Sequence, residues 1–259
     1  MERSLLDHPI IAQRYFFPRP TRPPEVFEVR SGSVTLGCWR LIQDPSAGTL
    51  VHFHGNGETV ADYVPEIARL FATLGLNLLL AEYRGYGAST GQPALGAMLD
   101  DVEAVFQATE QPEEKVILFG RSVGSIYAIE LAQRHPGIAG LVIESGIADP
   151  LERILLRVEP AELGVSREDL ELAVAQRLDH RAKLATYEGP LLTLHAAGDS
   201  LVLASHAERL HDWASGEDKK LVLFPRGDHN SVLFANAQSY MEELGDFVTR
   251  VLPTERVLS

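Results

Sequence analysis

An α/β fold with a mainly parallel, eight-stranded sheet and helices on both faces is what the 259-residue sequence predicts, on three observations. Apolar runs of strand length alternate with longer stretches of helical periodicity, as parallel strands joined by crossover helices do. A glycine-flanked serine sits between one such run and one such helix. The polar residues best suited to chemistry fall just past the carboxyl ends of predicted strands, where open parallel sheets bind their ligands.

The first 25 or so residues read as an arm lying across the domain, because the prolines from Pro18 to Pro24 block both a helix and an inner strand. Val26–Val29 and Val34–Leu41, joined at Ser31-Gly32-Ser33, form an antiparallel hairpin that starts the sheet. A strand over Thr49–Phe53, a helix from about Thr59 to Leu74, a strand over Leu76–Ala81, a helix from about Leu95 to Ala108 and a strand over Lys115–Phe119 follow. Leu141–Glu144, Leu191–Leu194 and Lys220–Phe224 complete the eight.

Between Glu144 and Leu191 about 45 residues intervene, more than a plain crossover needs, and the excess reads as a helical cap over about residues 147–186. Its first helical stretch places Leu151, Ile154, Leu155 and Val158 at i, i+3, i+4 and i+7. Its second begins at Ser166, with Asp169 as an acidic variant of the capping box, and stripes Leu170, Ala173, Val174 and Leu178. The first stripe either packs on the rim of the core or also lines an acyl pocket, which makes its four residues candidate substrate contacts.

Gly120-Arg121-Ser122-Val123-Gly124 follows the run Val116-Ile117-Leu118-Phe119 directly and opens the helical stretch Ser125–Ala132. This is the G-x-S-x-G nucleophile elbow in the strand-turn-helix context it requires. Glycine two residues before and two after the serine removes the Cβ atoms that would meet neighbouring backbone in so sharp a turn. The backbone N–H groups at the helix start favour developing negative charge, so Val123 becomes a candidate oxyanion donor.

A serine hydroxyl is a weak nucleophile and needs a base with a group to orient it. Asp199 lies just past the strand Leu191–Leu194, and His229 lies in the loop after Lys220–Phe224. Taken singly, Asp199 could be a turn residue held by its own backbone and His229 a solvated loop histidine. The chain order Ser122, Asp199, His229 makes them one candidate triad, with Glu144, at the end of the preceding strand, as the other candidate acid. With His229 as base, activity would rise with pH as that imidazole becomes neutral.

Together with Leu50-Val51-His52-Phe53-His54-Gly55-Asn56-Gly57 and Glu82-Tyr83-Arg84-Gly85-Tyr86-Gly87, these landmarks run in order from about residue 48 to 230. On them the chain resembles the single-domain serine hydrolases of the α/β-hydrolase superfamily, and within it the branch that includes protein depalmitoylases and lysophospholipases. The resemblance implies an α/β-hydrolase fold with a small helical cap. It also implies an acyl-enzyme mechanism on carboxylic esters or thioesters, with no cofactor. The residue after His-Gly supplies the second oxyanion donor in that family, which is Asn56 here, with Gly57 as the fallback.

Three other readings compete. A serine peptidase or amidase could use the same fold. A binding protein could keep the fold without the chemistry, although such a chain would be expected to lack a triad member. His52 and His54, two apart on a strand and so on one face, could ligate a metal in a metal-dependent hydrolase. No His-Glu-x-x-His helix accompanies them, and Cys38 is the single cysteine.

Composition narrows partners and location. The formal net charge of −13 argues against nucleic acid and anionic membrane surfaces, since both call for clustered Lys and Arg. One cysteine permits no intramolecular disulfide, the N-terminus shows no signal-peptide core, and no apolar run approaches membrane-spanning length. A cytoplasmic protein acting on a small ester or thioester, without membrane insertion, is the expectation.

Overall fold

Eight strands form one sheet in chain order, except that the third and fourth exchange places. The structure, a computed structural model, describes residues 4–64 and 66–253. The strands are β1 (Phe27–Ser31), β2 (Val34–Leu41), β3 (Thr49–Phe53), β4 (Asn77–Ala81), β5 (Val116–Arg121), β6 (Gly140–Glu144), β7 (Leu191–Ala196) and β8 (Lys219–Phe224). Pairing is antiparallel for β1 with β2 and for β2 with β4, and parallel from β4 to β8.

The helices are α1 (Pro9–Tyr15), α2 (Val60–Tyr63), α3 (Glu66–Ala72), α4 (Leu95–Gln107), α5 (Gly124–Arg134), α6 (Pro150–Leu155), α7 (Arg167–Leu178), α8 (His180–Leu184), α9 (Ala204–Trp213), α10 (Val232–Ala235) and α11 (Ala237–Val251). No helix among the described residues is long and apolar enough to cross a membrane.

Two apolar layers explain why the inner strands read as unbroken apolar runs. Alternate residues of each strand face opposite sides, so Val51, Leu79 and Leu118 enter the core shared with α4 and α5. Leu50, Leu78, Ile117 and Phe119 enter the other, shared with α3 and α11. Asn77, the polar residue of β4, is fully buried and satisfied: its Oδ1 accepts from Gln43 N (2.8 Å), and its Nδ2 donates to Asp44 O (2.8 Å). Cys38 is buried too, which pushes its thiol up to about 12 and keeps it protonated.

Two local expectations change. The single helix expected from Thr59 to Leu74 is two, because Val64 precedes Pro65 and adopts extended backbone (φ −100°, ψ 126°), the region a following proline imposes. The arm contains a helix, α1, with Pro9 in its first turn and the His8 ring accepting from Ile10 N. Its residues 1–3 lie outside the described residues. Between β6 and β7 stand α6, a short 3-10 turn at Pro160–Leu163, α7 and α8. Ser166 and Asp169 form the reciprocal cap at the start of α7.

Candidate active site

β5 ends at Arg121, and the chain turns into α5 within three residues. Ser122 sits at the apex with φ +51°, a left-handed conformation that non-glycine residues seldom adopt. The turn is tight because α5 lies almost on β3. A Cβ on Gly124 would stand 2.1 Å from the carbonyl oxygen of Phe53, and one on Gly120 would stand 2.6 Å from Ser125 Cα. Ser125 Oγ donates to Ser122 O (2.6 Å) and accepts from Ile147 N (3.0 Å), tying the elbow to the segment after β6.

Ser122 Oγ lies 2.9 Å from His229 Nε2, and His229 Nδ1 lies 2.7 Å from Asp199 Oδ2. A carboxylate only accepts, so Nδ1 carries the proton and Nε2 is left to accept from the serine hydroxyl. All three residues are buried, and Asp199 serves two ends at once. Its Oδ1 accepts from Leu201 N (2.9 Å) and Val202 N (2.8 Å), closing its own turn, while its Oδ2 holds the imidazole. Burial pushes the Asp199 carboxyl up, but the His229 hydrogen bond, the Val202 N–H and the neighbouring imidazoles outweigh it and hold the group below its ordinary value.

Glu144 is not brought to His229. Its Oε1 lies 3.0 Å from Arg121 Nε, and Tyr240 OH donates to its Oε2. Arg121 also lies 2.6 Å from Glu58 Oε1, and its Nη2 donates to His229 O (2.9 Å) and Asn230 Oδ1 (3.1 Å). The residue before the elbow serine, which the motif leaves unspecified, thus bridges β5 to the histidine loop.

Val123 and Asn56 both line the cleft that holds Ser122, and among the described residues neither backbone N–H donates to a protein acceptor. The Asn56 side chain is committed elsewhere. Its Oδ1 accepts from Phe17 N (3.1 Å) and Tyr86 OH (2.9 Å), and its Nδ2 donates to Tyr15 O, so it clamps the end of the arm beside the cleft.

His52 and His54 do not act as a pair. The His52 ring packs among Tyr63, Phe71 and Phe119, while His54 lies past the strand end with Nε2 2.7 Å from Glu82 Oε1 and Nδ1 2.8 Å from Gly55 O. Both nitrogens of His54 are therefore occupied. Among the described residues no group of three His, Cys, Asp or Glu is placed to hold a metal ion.

The apolar stripe of α6 is turned away from the site. Ile154 and Val158 are fully buried in the core with α4 and α5, and Leu151 and Leu155 pack against the same layer. Helical periodicity identifies an apolar face without saying what meets it, and here the core meets it. None of the four borders the cleft; the residues of α6 and its C-terminal turn that do are Arg153 and Arg157. Tyr15 and Phe17 of the arm close another side. These four escaped the sequence reading, and only the i, i+4 spacing of the arginines hinted at a shared side.

Residues 44–167 match the protein family described as "Serine aminopeptidase, S33". Protein bem46 of Schizosaccharomyces pombe is 29% identical over 234 residues, covering 86% of this chain and 76% of that protein. The human alpha/beta hydrolase domain-containing protein 17C is 25% identical over 223 residues, 84% of this chain and 63% of that one. Among solved structures, the Pyrococcus furiosus esterase Pf2001 superposes with a TM-score of 0.71 at 15% identity, covering 90% of this chain and 98% of that one. With the eight-stranded sheet and the serine elbow at the end of β5, these likenesses lead to one assignment: the chain has the α/β-hydrolase fold and is similar in sequence to members of that superfamily.

Proposed function

We propose that the protein is a serine hydrolase that transfers the acyl group of a carboxylic ester or thioester to water. The observation that carries this reading is the unbroken chain from Ser122 Oγ through His229 to Asp199, at 2.9 and 2.7 Å. Ser122 attacks the substrate carbonyl as His229 Nε2 takes its proton, and the N–H groups of Val123 and Asn56 hold the oxyanion. The acyl carbon–oxygen or carbon–sulfur bond then breaks, with His229 returning the proton to the departing alcohol or thiol. Water, deprotonated by the same nitrogen, releases the acid and restores Ser122. Asp199 keeps the proton on Nδ1 throughout, and no cofactor enters these steps.

The segment of about residues 147–186 serves as a cap over this site. Peptide hydrolysis is the second reading, favoured by the description of the matching family. Against it, the charged side chains that α6 and its C-terminal turn bring to the cleft are guanidiniums, which would repel the free ammonium of an aminopeptidase substrate. Incubation with a fluorophosphonate probe and short p-nitrophenyl esters tests the proposal: one covalent adduct on Ser122 and ester turnover are expected. Unlabelled protein with no turnover would overturn it.

A further inference from the structure

The cleft beside Ser122 carries uncompensated positive charge on a chain whose formal net charge is −13. Arg121, which also borders it, is neutralised by Glu58 and Glu144. Elsewhere Arg14 pairs with Glu162, and Arg209 approaches Glu152. Among the described residues Arg153 and Arg157 contact no carboxylate. What holds them is uncharged: Arg153 Nη1 donates to Leu201 O (2.9 Å), and the Arg157 guanidinium lies 5.0 Å from the centre of the Phe17 ring. Leu201 and Phe17 border the same cleft, so both cations stand at its wall, Arg153 half-buried and Arg157 exposed.

Stability alone accounts poorly for this pair. Two like charges at i, i+4 repel, and although Arg153 in the last turn of α6 complements the helix dipole, that helix has only six residues. Both arginines share the cleft with Tyr15, whose hydroxyl burial pushes up to about 12 against the pull of their charges. A cationic wall a few side chains from a nucleophile focuses anions into the site.

Resting on the proposed hydrolase reading, we infer that the substrate carries an anionic group, carboxylate or phosphate, which Arg153 and Arg157 hold while Ser122 attacks the ester or thioester carbonyl. The bond changes are those of the proposed reaction, and the anion is a handle that takes no part in them. Guanidiniums suit it because each offers paired N–H donors to two oxygens.

Paired substrates test this. The mono-p-nitrophenyl ester of glutaric acid is compared with its methyl ester, which removes the charge on the acyl side. Acetyl-coenzyme A is compared with acetylpantetheine, which removes phosphates on the leaving-group side. The wild type is expected to favour the anionic member of at least one pair by about tenfold or more in kcat/KM. That ratio should fall toward one in Arg153→Gln/Arg157→Gln, recover in part in the double Lys variant, and shrink as salt is raised. The pair that responds identifies carboxylate or phosphate. Ratios near one in both pairs, or a ratio the double Gln variant leaves unchanged, would overturn the inference.

Failure of the hydrolase reading shows separately, as turnover no faster than that of Ser122→Ala. Calorimetric binding of monomethyl glutarate against dimethyl glutarate, and of coenzyme A against pantetheine, then decides the anion site without turnover. Selective binding that the double Gln variant loses supports it, and equal or absent binding overturns it.

Discussion

Arg121 Nη2 donates to the backbone carbonyl of His229 across 2.9 Å, so the residue before Ser122 holds the loop that carries His229. The same guanidinium binds Glu144 and Glu58, which makes it the hub between β5, β6 and the loop after β8. Arg121→Gln should leave the buried Glu144 carboxylate without its cation and cost about 3–5 kcal/mol of unfolding free energy. Burial already pushes that carboxyl above its ordinary value against the pull of Arg121, and removing the cation should raise it further. As a positioning residue, Arg121 should act on kcat and on the fluorophosphonate labelling rate more than on KM, with partial rescue in Arg121→Lys. Wild-type labelling by Arg121→Gln would show that Asp199 alone holds the histidine.

Ser122→Ala should abolish labelling and lower kcat by several powers of ten, as loss of a nucleophile does. Mass spectrometry placing an adduct on Ser145 or Ser231 would move the nucleophile. Because Ser122 sits at φ +51°, the inactive Ser122→Gly should be more stable than Ser122→Ala by about 1 kcal/mol. Urea unfolding of the two variants measures that strain with the hydroxyl absent from both.

Asp199→Asn should cost about 10³ to 10⁴ in kcat by favouring the wrong histidine tautomer. Glu144→Gln should affect stability more than turnover, since Glu144 meets Arg121 and Tyr240 rather than His229. Equal losses in the two variants would put the orienting acid in question.

A pH series separates the two jobs of Asp199. Its carboxyl is depressed in the folded protein, so the stability it contributes is fully present above the unfolded value of about 3.9. That contribution is lost as pH falls through the lower folded value. The difference in unfolding free energy between wild type and Asp199→Asn should therefore be steady between pH 7 and about 5 and close below about 4. A difference that persists in strong acid would assign it to packing.

Gly124→Ala should be among the most damaging single-methyl changes in the chain, because the added carbon would stand 2.1 Å from Phe53 O and 2.8 Å from His54 O, both backbone. Forcing α5 away from β3 should cost at least about 2 kcal/mol and displace the Val123 N–H. Gly198→Ala is the control. Its Cβ would find only Gly227 O, at 3.4 Å, and its unfolding midpoint should match the wild type.

Much of this molecule is written in local pattern. Strands buried on both faces must be apolar along their length, so β3 to β7 stand out as runs, and the elbow stands out because only glycine fits beside Phe53 and Ser125. Ser166 and Asp169 mark the start of α7 because capping depends on neighbours three residues apart. The break at Val64 was equally local, through Pro65, as was α1 through its early proline. In both places a wider pattern, helical periodicity or proline content, masked the signal.

What the chain order alone determined was the architecture and the candidate set Ser122, Asp199 and His229, because motif, strand and loop are each decided by residues close in sequence. What only the tertiary structure decided was the company those residues keep. Periodicity shows that Leu151, Ile154, Leu155 and Val158 share a face but not that the core takes it, leaving Arg153 and Arg157 for the cleft. Nor does spacing show that Arg121 reaches His229, 108 positions away, or that Asn56 grips the arm at Tyr15 and Phe17. Those contacts depend on how the layers and loops close over one another, and folding the whole chain is what brings such distant groups within hydrogen-bonding range.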